Sequence, residues 1–363
     1  MKKRLRLVAL ISLYLLTAIT QTQAIAFAQK AGPEEQLDAL IKSKVNPSEP
    51  GLAVMVIRDG RVLFNKAYGV ADLSSGQPMR ADTPFYIASI AKQFTAAAII
   101  MLAEQGRLSY DDQLIKYFPE FKGFASTLNL RQILTHTSGL IDHLDVIKDN
   151  NAGWKNKDVV ELLLRENRVL FQPGEKWSYS NSGYVLLAMI VEKVAGEPFS
   201  AFLKKNIFTP LGMKHTFVAD EAGVNTRGRA RGYSLTNGRW EPNDYEAFTT
   251  GAGGVYSTLE DLYKWDQSFY TEKLMKESSL KMASAPARLN NGRPTPYGFG
   301  WLAEFAAKGR FANVWYVASH GNFKGFQSMI KRIPERRFTV IVMSNRGELL
   351  VWPETIQDIF LPD

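Results

Sequence analysis

The sequence predicts a mixed α/β (α+β) fold: one antiparallel sheet built from both chain ends, flanked by helices, with a mostly helical region inserted. Three observations predict it: strand-like apolar runs occur before residue 70, helical spacing dominates the middle, and strand character returns after residue 297. The chain has 363 residues, of which 45% are hydrophobic and 12% aromatic, so it can bury a sizeable core.

The first sheet segment is a hairpin. Residues 51–57 and 62–68 are apolar runs rich in β-branched side chains, and Asp59-Gly60 separates them. An Asp-Gly pair between two such runs is a strong hairpin signal because the turn needs residues that tolerate positive φ.

The middle of the chain carries helical patterns. Residues 89–106 are rich in Ala, Ile, Leu and Met and end at a glycine, and residues 157–167 and 182–196 repeat apolar residues at three- and four-residue spacing.

Strand patterns return in the last part of the chain, over residues 298–302, 314–317, 326–333 and 338–343. The pair Pro334-Glu335 lies between the last two and predicts that they form a hairpin. Residues 353–360 predict a final amphipathic helix.

Residues 1–28 predict a signal peptide. A basic start precedes an apolar run over residues 7–19, and Ala26-Phe27-Ala28 supplies a small-x-small cleavage site. The alternative is an uncleaved anchor, but the run is short for a span of about 20 residues. We therefore expect an exported, periplasmic or secreted protein without a stable membrane span after cleavage near Gln29.

Composition argues against several other functions. Four basic residues before residue 7 supply half of the net charge of +8, and no dense Lys/Arg run follows, so nucleic-acid binding is not expected. The absence of cysteine excludes disulfides and a thiol nucleophile. The four histidines show no metal-ligand spacing, so we expect neither a metal nor a cofactor. The expected partner is a small-molecule or peptide substrate.

Ser89-Ile90-Ala91-Lys92 is the candidate catalytic element. Residues three apart on a helix share a face, so the amine can take the proton of the serine hydroxyl. The spacing alone is weak, since Ser278–Lys281 and Ser328–Lys331 share it. Ser89, however, lies at a strand-to-helix junction, and Lys92 lies on an apolar helix where burial would lower its pKa. The alternative for Ser89 is a simple helix cap.

A second candidate element is Tyr179-Ser180-Asn181, the only Y-x-N in the chain, on a loop before a predicted helix. The phenol of Tyr179 can shuttle a proton beside a lysine, and Asn181 can bind a substrate carbonyl or steady Lys92. The alternative is a core tyrosine beside an Asx turn.

Together with the late element Ser319-His320-Gly321, these residues resemble the penicillin-recognising serine hydrolases. The branch in question includes class C β-lactamases, D-alanyl-D-alanine carboxypeptidases, esterases and D-aminopeptidases. The resemblance covers nearly the whole mature chain and includes Leu134-Thr-His-Thr-Ser-Gly-Leu140 and Gly251-Ala-Gly-Gly254. It implies a β-lactamase/transpeptidase-like fold in one domain over residues 29–363, with a sheet lobe (about 29–85 and 290–363) and a helical lobe (about 90–285).

The resemblance also implies a mechanism. Ser89 would form an acyl-enzyme that water hydrolyses, and Lys92 and Tyr179 would share the proton transfers, with the base left open. The expected substrates are small esters, amides or D-amino-acid-containing peptides. The alternatives are a β-lactamase or D-alanyl-D-alanine carboxypeptidase, and a non-catalytic penicillin-binding module.

The third motif departs from the family's pattern, which is Lys-Thr-Gly, or His-x-Gly in some relatives. One register puts His320 on the basic position and Asn322 where glycine is expected. The other keeps Gly321 in place and puts Ser319 on the basic position. All four residues are candidate substrate-binding residues, and in either register the strand lysine is missing. His136 is expected to be structural, and His143 and His215 to be surface or loop residues.

Overall fold

The structure is a computed structural model. It describes residues 31–361 except 122, 124–125, 148–152, 220–227, 245–247, 307–310 and 312. The predicted signal peptide, residues 1–28, lies outside the described residues. Within the described part of the chain, no helix has both the length and the apolar character to cross a membrane.

A six-stranded antiparallel sheet forms the centre of the fold. Its strands are β1 (Leu52–Arg58), β2 (Arg61–Tyr68), β10 (Leu302–Phe305), β11 (Trp315–Phe323), β12 (Phe326–Ile333) and β13 (Phe338–Ser344), and they lie in the order β10-β11-β12-β13-β1-β2. The first strand pairs with the last, Leu52 opposite Ser344. The predicted fold, with one sheet made from both chain ends, is therefore confirmed, and so are both hairpins.

Both faces of this sheet are covered, which is why β12 and β13 are buried at every position and do not alternate with polar residues. The outer face packs against α1 (Pro33–Lys42) and α11 (Pro353–Phe360). The inner face packs against the helical region, and together they enclose the larger core.

The helical region follows the predicted pattern in its three long segments. The segments predicted at 89–106, 157–167 and 182–196 correspond to α2 (Lys92–Glu104), α5 (Asn156–Glu166) and α6 (Asn181–Ala195). The remaining α-helices of this region among the described residues are α3 (Leu130–Leu134), α4 (His143–Val146), α7 (Phe199–Leu203), α8 (Thr209–Leu211), α9 (Leu259–Ser268) and α10 (Glu277–Ala283).

Short strands support the region around α2. They are β3 (Val70–Asp72), β4 (Gln77–Pro78), β5 (Phe85–Tyr86), β6 (Phe217–Val218), β7 (Tyr233–Thr236), β8 (Arg239–Pro242) and β9 (Val255–Ser257). They form the sheets β3-β4, β5-β9-β6 and β7-β8. The central strand β9 pairs with β5, which precedes the turn that leads into α2.

The structure differs from the sequence-based prediction at β10, which begins at Leu302 and not at residue 298. A side chain at Gly298 would place its Cβ 2.2 Å from the carbonyl oxygen of Ala283. The backbone of residue 298 therefore packs against the end of α10, and the sheet starts only after this contact. The next strand, β11, is longer than predicted and contains the whole third motif.

Candidate active site

A tight turn between β5 and α2 presents Ser89. Ala88 has a φ of +46°, which a non-glycine residue seldom adopts, and residues Ala88–Ala91 form a 3-10 turn that runs into α2. Ser89 thus precedes the α-helix by one turn and is half-buried. Strained backbone of this kind is often found at functional sites.

Lys92 lies beside this serine. Its Nζ is 3.1 Å from the Oγ of Ser89, and its side chain is 0% exposed on a helix whose other buried residues are mostly apolar. Burial lowers the pKa of Lys92 to about 7, and the carboxylate of Asp142 opposes part of that shift. A large fraction of the amine is therefore neutral near pH 7.

Two oxygens fix the orientation of this amine. Nζ donates to Oδ1 of Asn181 over 2.7 Å and to the backbone carbonyl of Ala252 over 2.8 Å. Both oxygens can only accept hydrogen bonds. A neutral amine has two hydrogens, so these acceptors occupy both and leave the lone pair directed at the Ser89 hydroxyl.

Tyr179 completes the group. Both Tyr179 and Ser89 line the cleft, and Nζ of Lys92 lies 4.8 Å from the ring centre of Tyr179. Burial raises the pKa of Tyr179 well above its usual value, an effect that the nearby side chain of Ser89 partly offsets and that Asp142 reinforces. The phenol therefore stays protonated at neutral pH.

His136 holds the loop that carries Tyr179. Its carbonyl accepts from the backbone nitrogen of Ser178 over 2.9 Å, and its Nδ1 accepts from that of Ser180 over 3.1 Å. Its ring lies against Tyr179, with 4.2 Å between ring centres. Burial, together with the nearby Lys92, lowers the pKa of His136 well below its ordinary value. The neutral His136 therefore holds the backbone on both sides of Tyr179, which agrees with the structural role predicted for it.

The residues of the third motif alternate between the two faces of β11. Val317 belongs to the inner core and Ala318 to the outer core, so Ser319 faces inward and His320 outward. Accordingly, the ring of His320 lies 6.0 Å from that of Trp352, and its Nε2 accepts from the carboxamide nitrogen of Gln327 over 2.8 Å. Strand alternation thus places Ser319 on the inner face of β11 and His320 on the outer face, and both residues line the cleft.

Gly321 is required by this packing. A Cβ at this position would lie 2.2 Å from the carbonyl oxygen of Ile87 and 3.3 Å from the Cβ of Ala88. Only glycine lets β11 approach the turn that carries the nucleophile this closely. The close approach explains why glycine stands two residues after the inward-facing Ser319.

A cleft opens above Ser89 and has two branches that share Ser89, Tyr179 and Asn322. The helical branch is further lined by Tyr86, Ala88, His143, Leu144, Asn181, Thr249, Ala252, Gly253 and Phe323. The strand branch is further lined by Trp177, Tyr297, Leu302, Ser319 and His320. None of these lining residues is Lys, Arg, Asp or Glu.

The expectation for His143 was wrong. His143 is 3% exposed and lines the helical branch, and Ser182 holds it: the Oγ of Ser182 accepts from its backbone nitrogen over 2.8 Å and lies 3.2 Å from its Nδ1. Burial lowers the pKa of His143 to about 4, against the opposing effect of Asp142. His143 is therefore a neutral, polar part of the cleft wall.

The fold brings most of the predicted residues together. Lys92 contacts Ser89, Asn181 and the ring of Tyr179, and Ser319, His320 and Asn322 line the cleft. The sequence analysis missed Asp142, His143 and the carbonyl of Ala252. The glycine-flanked position of Ala252 was the only local signal for the last.

The comparisons with known proteins agree with this geometry. The sequence matches the Beta-lactamase family model over residues 37–352. It is 33% identical to "Penicillin-binding protein 4*" of Bacillus subtilis over 338 residues, which is 88% of this chain and 73% of that protein.

Two solved structures show the same architecture. One is an octameric penicillin-binding protein homologue from Pyrococcus abyssi (TM-score 0.76, 27% identity, 89% of this chain and 74% of that chain). The other is a D-amino acid amidase from Ochrobactrum anthropi in complex with L-phenylalanine amide (TM-score 0.71, 26% identity, 87% and 90%). The chain belongs to the beta-lactamase family of serine hydrolases, whose members include penicillin-binding proteins and this amidase.

Proposed function

We propose that this protein is an exported serine hydrolase that forms an acyl-enzyme on Ser89 and hydrolyses small esters, amides or D-amino-acid-containing peptides. One observation carries the proposal. The amine of Lys92 lies 3.1 Å from the Ser89 hydroxyl, with its two other contacts made to oxygens that can only accept.

In the acylation step, Lys92 is the base. The neutral amine takes the proton of Ser89 while Oγ bonds to the substrate's carbonyl carbon. The tetrahedral intermediate then collapses as the bond to the leaving group breaks, and the leaving group takes a proton from the Tyr179 phenol. The charged Lys92 returns its proton to Tyr179, which restores both groups.

In the deacylation step, water attacks the carbonyl carbon of the acyl-enzyme and gives a proton to Lys92 and Tyr179. The bond to Oγ of Ser89 then breaks, and Oγ takes a proton back from this pair. In both steps the negatively charged oxygen of the tetrahedral intermediate needs hydrogen-bond donors. We assign this role to the backbone N–H of Ser89 and to one from β11 beside it, as the family resemblance implies. Asn322 and Phe323 bring β11 into the helical branch opposite Ser89.

The lining of the cleft favours substrates that have no carboxylate beside the bond to be cleaved. Its described lining residues carry no formal charge, and burial lowers the pKa of both lining histidines below the ordinary value. Where family members have lysine, the inward-facing residue is Ser319. An amide or ester can bind such a wall without leaving a carboxylate unpaired. The similarity to a D-amino acid amidase supports this substrate class.

A β-lactamase or D-alanyl-D-alanine carboxypeptidase is the second candidate, because the sequence is 33% identical to a protein named as penicillin-binding. Both substrate classes carry a carboxylate, for which the described cleft offers no cation. A non-catalytic penicillin-binding module is less favoured still, because Ser89, Lys92 and Tyr179 are all present and in contact.

Export is part of the proposal. It rests on residues 1–28, whose basic start, apolar run and Ala26-Phe27-Ala28 site have the order of a signal peptide. We infer a mature domain of residues 29–363 that binds a small-molecule or peptide substrate and neither nucleic acid nor membrane. N-terminal sequencing of the protein from the periplasm or medium tests this inference, and an intact N-terminus would contradict cleavage.

A substrate panel tests the activity. Short-chain p-nitrophenyl esters, D-amino acid amides and nitrocefin are compared for the wild type, Ser89→Ala and Ser278→Ala. The last variant is a matched control because Ser278 and Lys281 have the same spacing but are both exposed. We expect ester and amide turnover that is lost only in Ser89→Ala. Equal turnover in Ser89→Ala would overturn the assignment, and turnover confined to nitrocefin would favour the second candidate.

A further inference from the structure

Asp142 lies behind the catalytic group and was not identified from the sequence. It is 8% exposed and directly precedes α4, where its Oδ1 accepts from the backbone nitrogen of Leu144 over 3.0 Å. Its Oδ2 accepts from the side-chain nitrogen of Asn181 over 2.7 Å and from the backbone nitrogen of Asn181 over 3.1 Å. Both carboxylate oxygens are therefore committed to fixed donors.

The contact with Asp142 decides which way the Asn181 amide points. A carboxylate only accepts hydrogen bonds, so the NH₂ of Asn181 must face Asp142 and its Oδ1 must face Lys92. With the amide reversed, the NH₂ would face Nζ and donate to its lone pair. A neutral Lys92 would then no longer be free to take the proton of Ser89.

We propose that Asp142 is a positioning residue for catalysis, which acts through Asn181 to keep the lone pair of Lys92 directed at Ser89. The inference rests on the proposed role of Lys92 as base. It extends the catalytic group along one hydrogen-bonded chain, Asp142–Asn181–Lys92–Ser89, with links of 2.7, 2.7 and 3.1 Å.

The charge of Asp142 has a second effect, since it raises the pKa of Lys92 against the stronger lowering by burial. Removing the charge must therefore lower the pKa of Lys92 further. Among the residues that the structure describes, the titratable groups that face Lys92 are Asp142, His136, His143, Tyr179 and Tyr184. Of these, Asp142 is the only carboxylate, and burial keeps the two histidines neutral at pH 7.

A purely structural role for Asp142 is the alternative, because Asp142 bonds to the first residue of α6 and caps α4. Such a role would change stability alone. The titration of Lys92 separates the two roles, since it reports the charge and hydrogen bonds around Nζ directly. It also needs no turnover, so its outcome is independent of whether the protein hydrolyses any given substrate.

The experiment follows the ¹³Cε NMR signal of Lys92, identified by its loss in Lys92→Met, in the full chain. We expect Asp142→Asn to shift the Lys92 titration to lower pH and to reduce kcat for p-nitrophenyl acetate by about 100-fold, as misplacement of a reacting group does. Asp145→Asn removes an exposed carboxylate on the same helix and is expected to match the wild type in both measurements. An unchanged titration with unchanged kcat in Asp142→Asn would overturn the proposal.

Asp142→Glu keeps the negative charge and the carboxylate that accepts hydrogen bonds. This variant replaces Asp142→Asn in the experiment if Asp142→Asn does not fold. We expect its Lys92 titration to stay near that of the wild type and its kcat to exceed that of Asp142→Ala. If Asp142→Glu and Asp142→Ala both titrate like the wild type, Asp142 has only a structural role. Inactivity of every protein, wild type included, with a Lys92 titration that still shifts would count against the proposed substrates but not against this inference.

Discussion

The amine of Lys92 lies 3.1 Å from the hydroxyl of Ser89 and is fully buried on a helix whose neighbours are mostly apolar. An ammonium group at such a place costs folding free energy because burial disfavours its charged form. The arrangement is unfavourable for stability and favourable for a base, since it makes the neutral amine available near pH 7.

Lys92→Met should therefore make stability less dependent on pH. Burial lowers the pKa of Lys92 from 10.5 in the unfolded chain to about 7. Burying the charged amine destabilises the folded state, and this effect is complete below pH 7 and disappears as the pH rises from 7 to 10.5. We expect the unfolding free energy of Lys92→Met, relative to the wild type, to be more favourable at pH 7 than at pH 10 by about 3.5 kcal/mol.

Thermal unfolding of both proteins at several pH values measures this difference. The lost hydrogen bonds to Asn181 and Ala252 affect all pH values alike and cancel in the comparison. A constant difference in stability from pH 7 to 10 would show that Lys92 has an ordinary pKa.

Activity should rise with pH through the titration of Lys92. Because the base works when deprotonated, kcat/KM for p-nitrophenyl acetate is expected to increase as the pH passes about 7 and then to level off. The phenol of Tyr179 stays protonated over this pH range because burial raises its pKa, so it adds no second step to the pH profile. A rate that falls as the pH rises from 6 to 8 would contradict Lys92 as the base.

Tyr179→Phe keeps the ring against His136 and removes only the phenol oxygen. We expect kcat to fall by about 100-fold with little change in KM, since proton transfer in the transition state is lost. Tyr110→Phe, which removes a phenol from a ring packed on Phe299, is the control and should leave kcat unchanged. Equal kcat values for Tyr179→Phe and the wild type would remove Tyr179 from the mechanism.

Ser319→Lys should create activity on substrates that carry a carboxylate. The new amine would enter the strand branch from the inner face of β11, and we expect nitrocefin hydrolysis to increase at least about tenfold. His320→Lys places the same charge on the outer face and should give a smaller increase. Equal or reversed effects would show that the face assignment does not control substrate charge.

Gly321→Ala tests the packing of β11 on the turn at Ile87. The added Cβ would overlap the carbonyl oxygen of Ile87, so we expect a loss of about 2 kcal/mol in stability together with a lower kcat. Gly32→Ala is the control because no atom lies within 4 Å of its added Cβ. Denaturant unfolding and ester hydrolysis measure both effects, and wild-type values for Gly321→Ala would refute the close contact.

Local patterns were enough to predict most of the fold. The Asp59-Gly60 turn, the Pro334-Glu335 turn and the apolar spacing of α6 each specify a local structure that the whole fold retains. The spacing of Ser89 and Lys92 likewise holds without tertiary information. The sequence could not predict which residues of β11 lie on its inner face. The face that a strand residue occupies depends on the elements packed against the sheet. Ile87 packs against Gly321 on the inner face, and the ring of Trp352 lies beside His320 on the outer face.

Asp142 and His143 were missed for a related reason. Their partners Asn181 and Ser182 lie 39 residues further along the chain, so only the packing of α4 against the start of α6 joins them. The sequence did contain one signal, an aspartate at a position that caps a helix. That signal predicts a helix start and gives no information on what the second carboxylate oxygen binds.

Trapping the acyl-enzyme tests the central claim most directly. The protein is mixed with p-nitrophenyl acetate, quenched in acid within the first turnover and digested for peptide mass mapping. The account predicts one acetyl group on the peptide that contains Ser89 and on no other serine, with no label in Ser89→Ala. Label on another residue, or hydrolysis without any labelled serine at the earliest times, would contradict it.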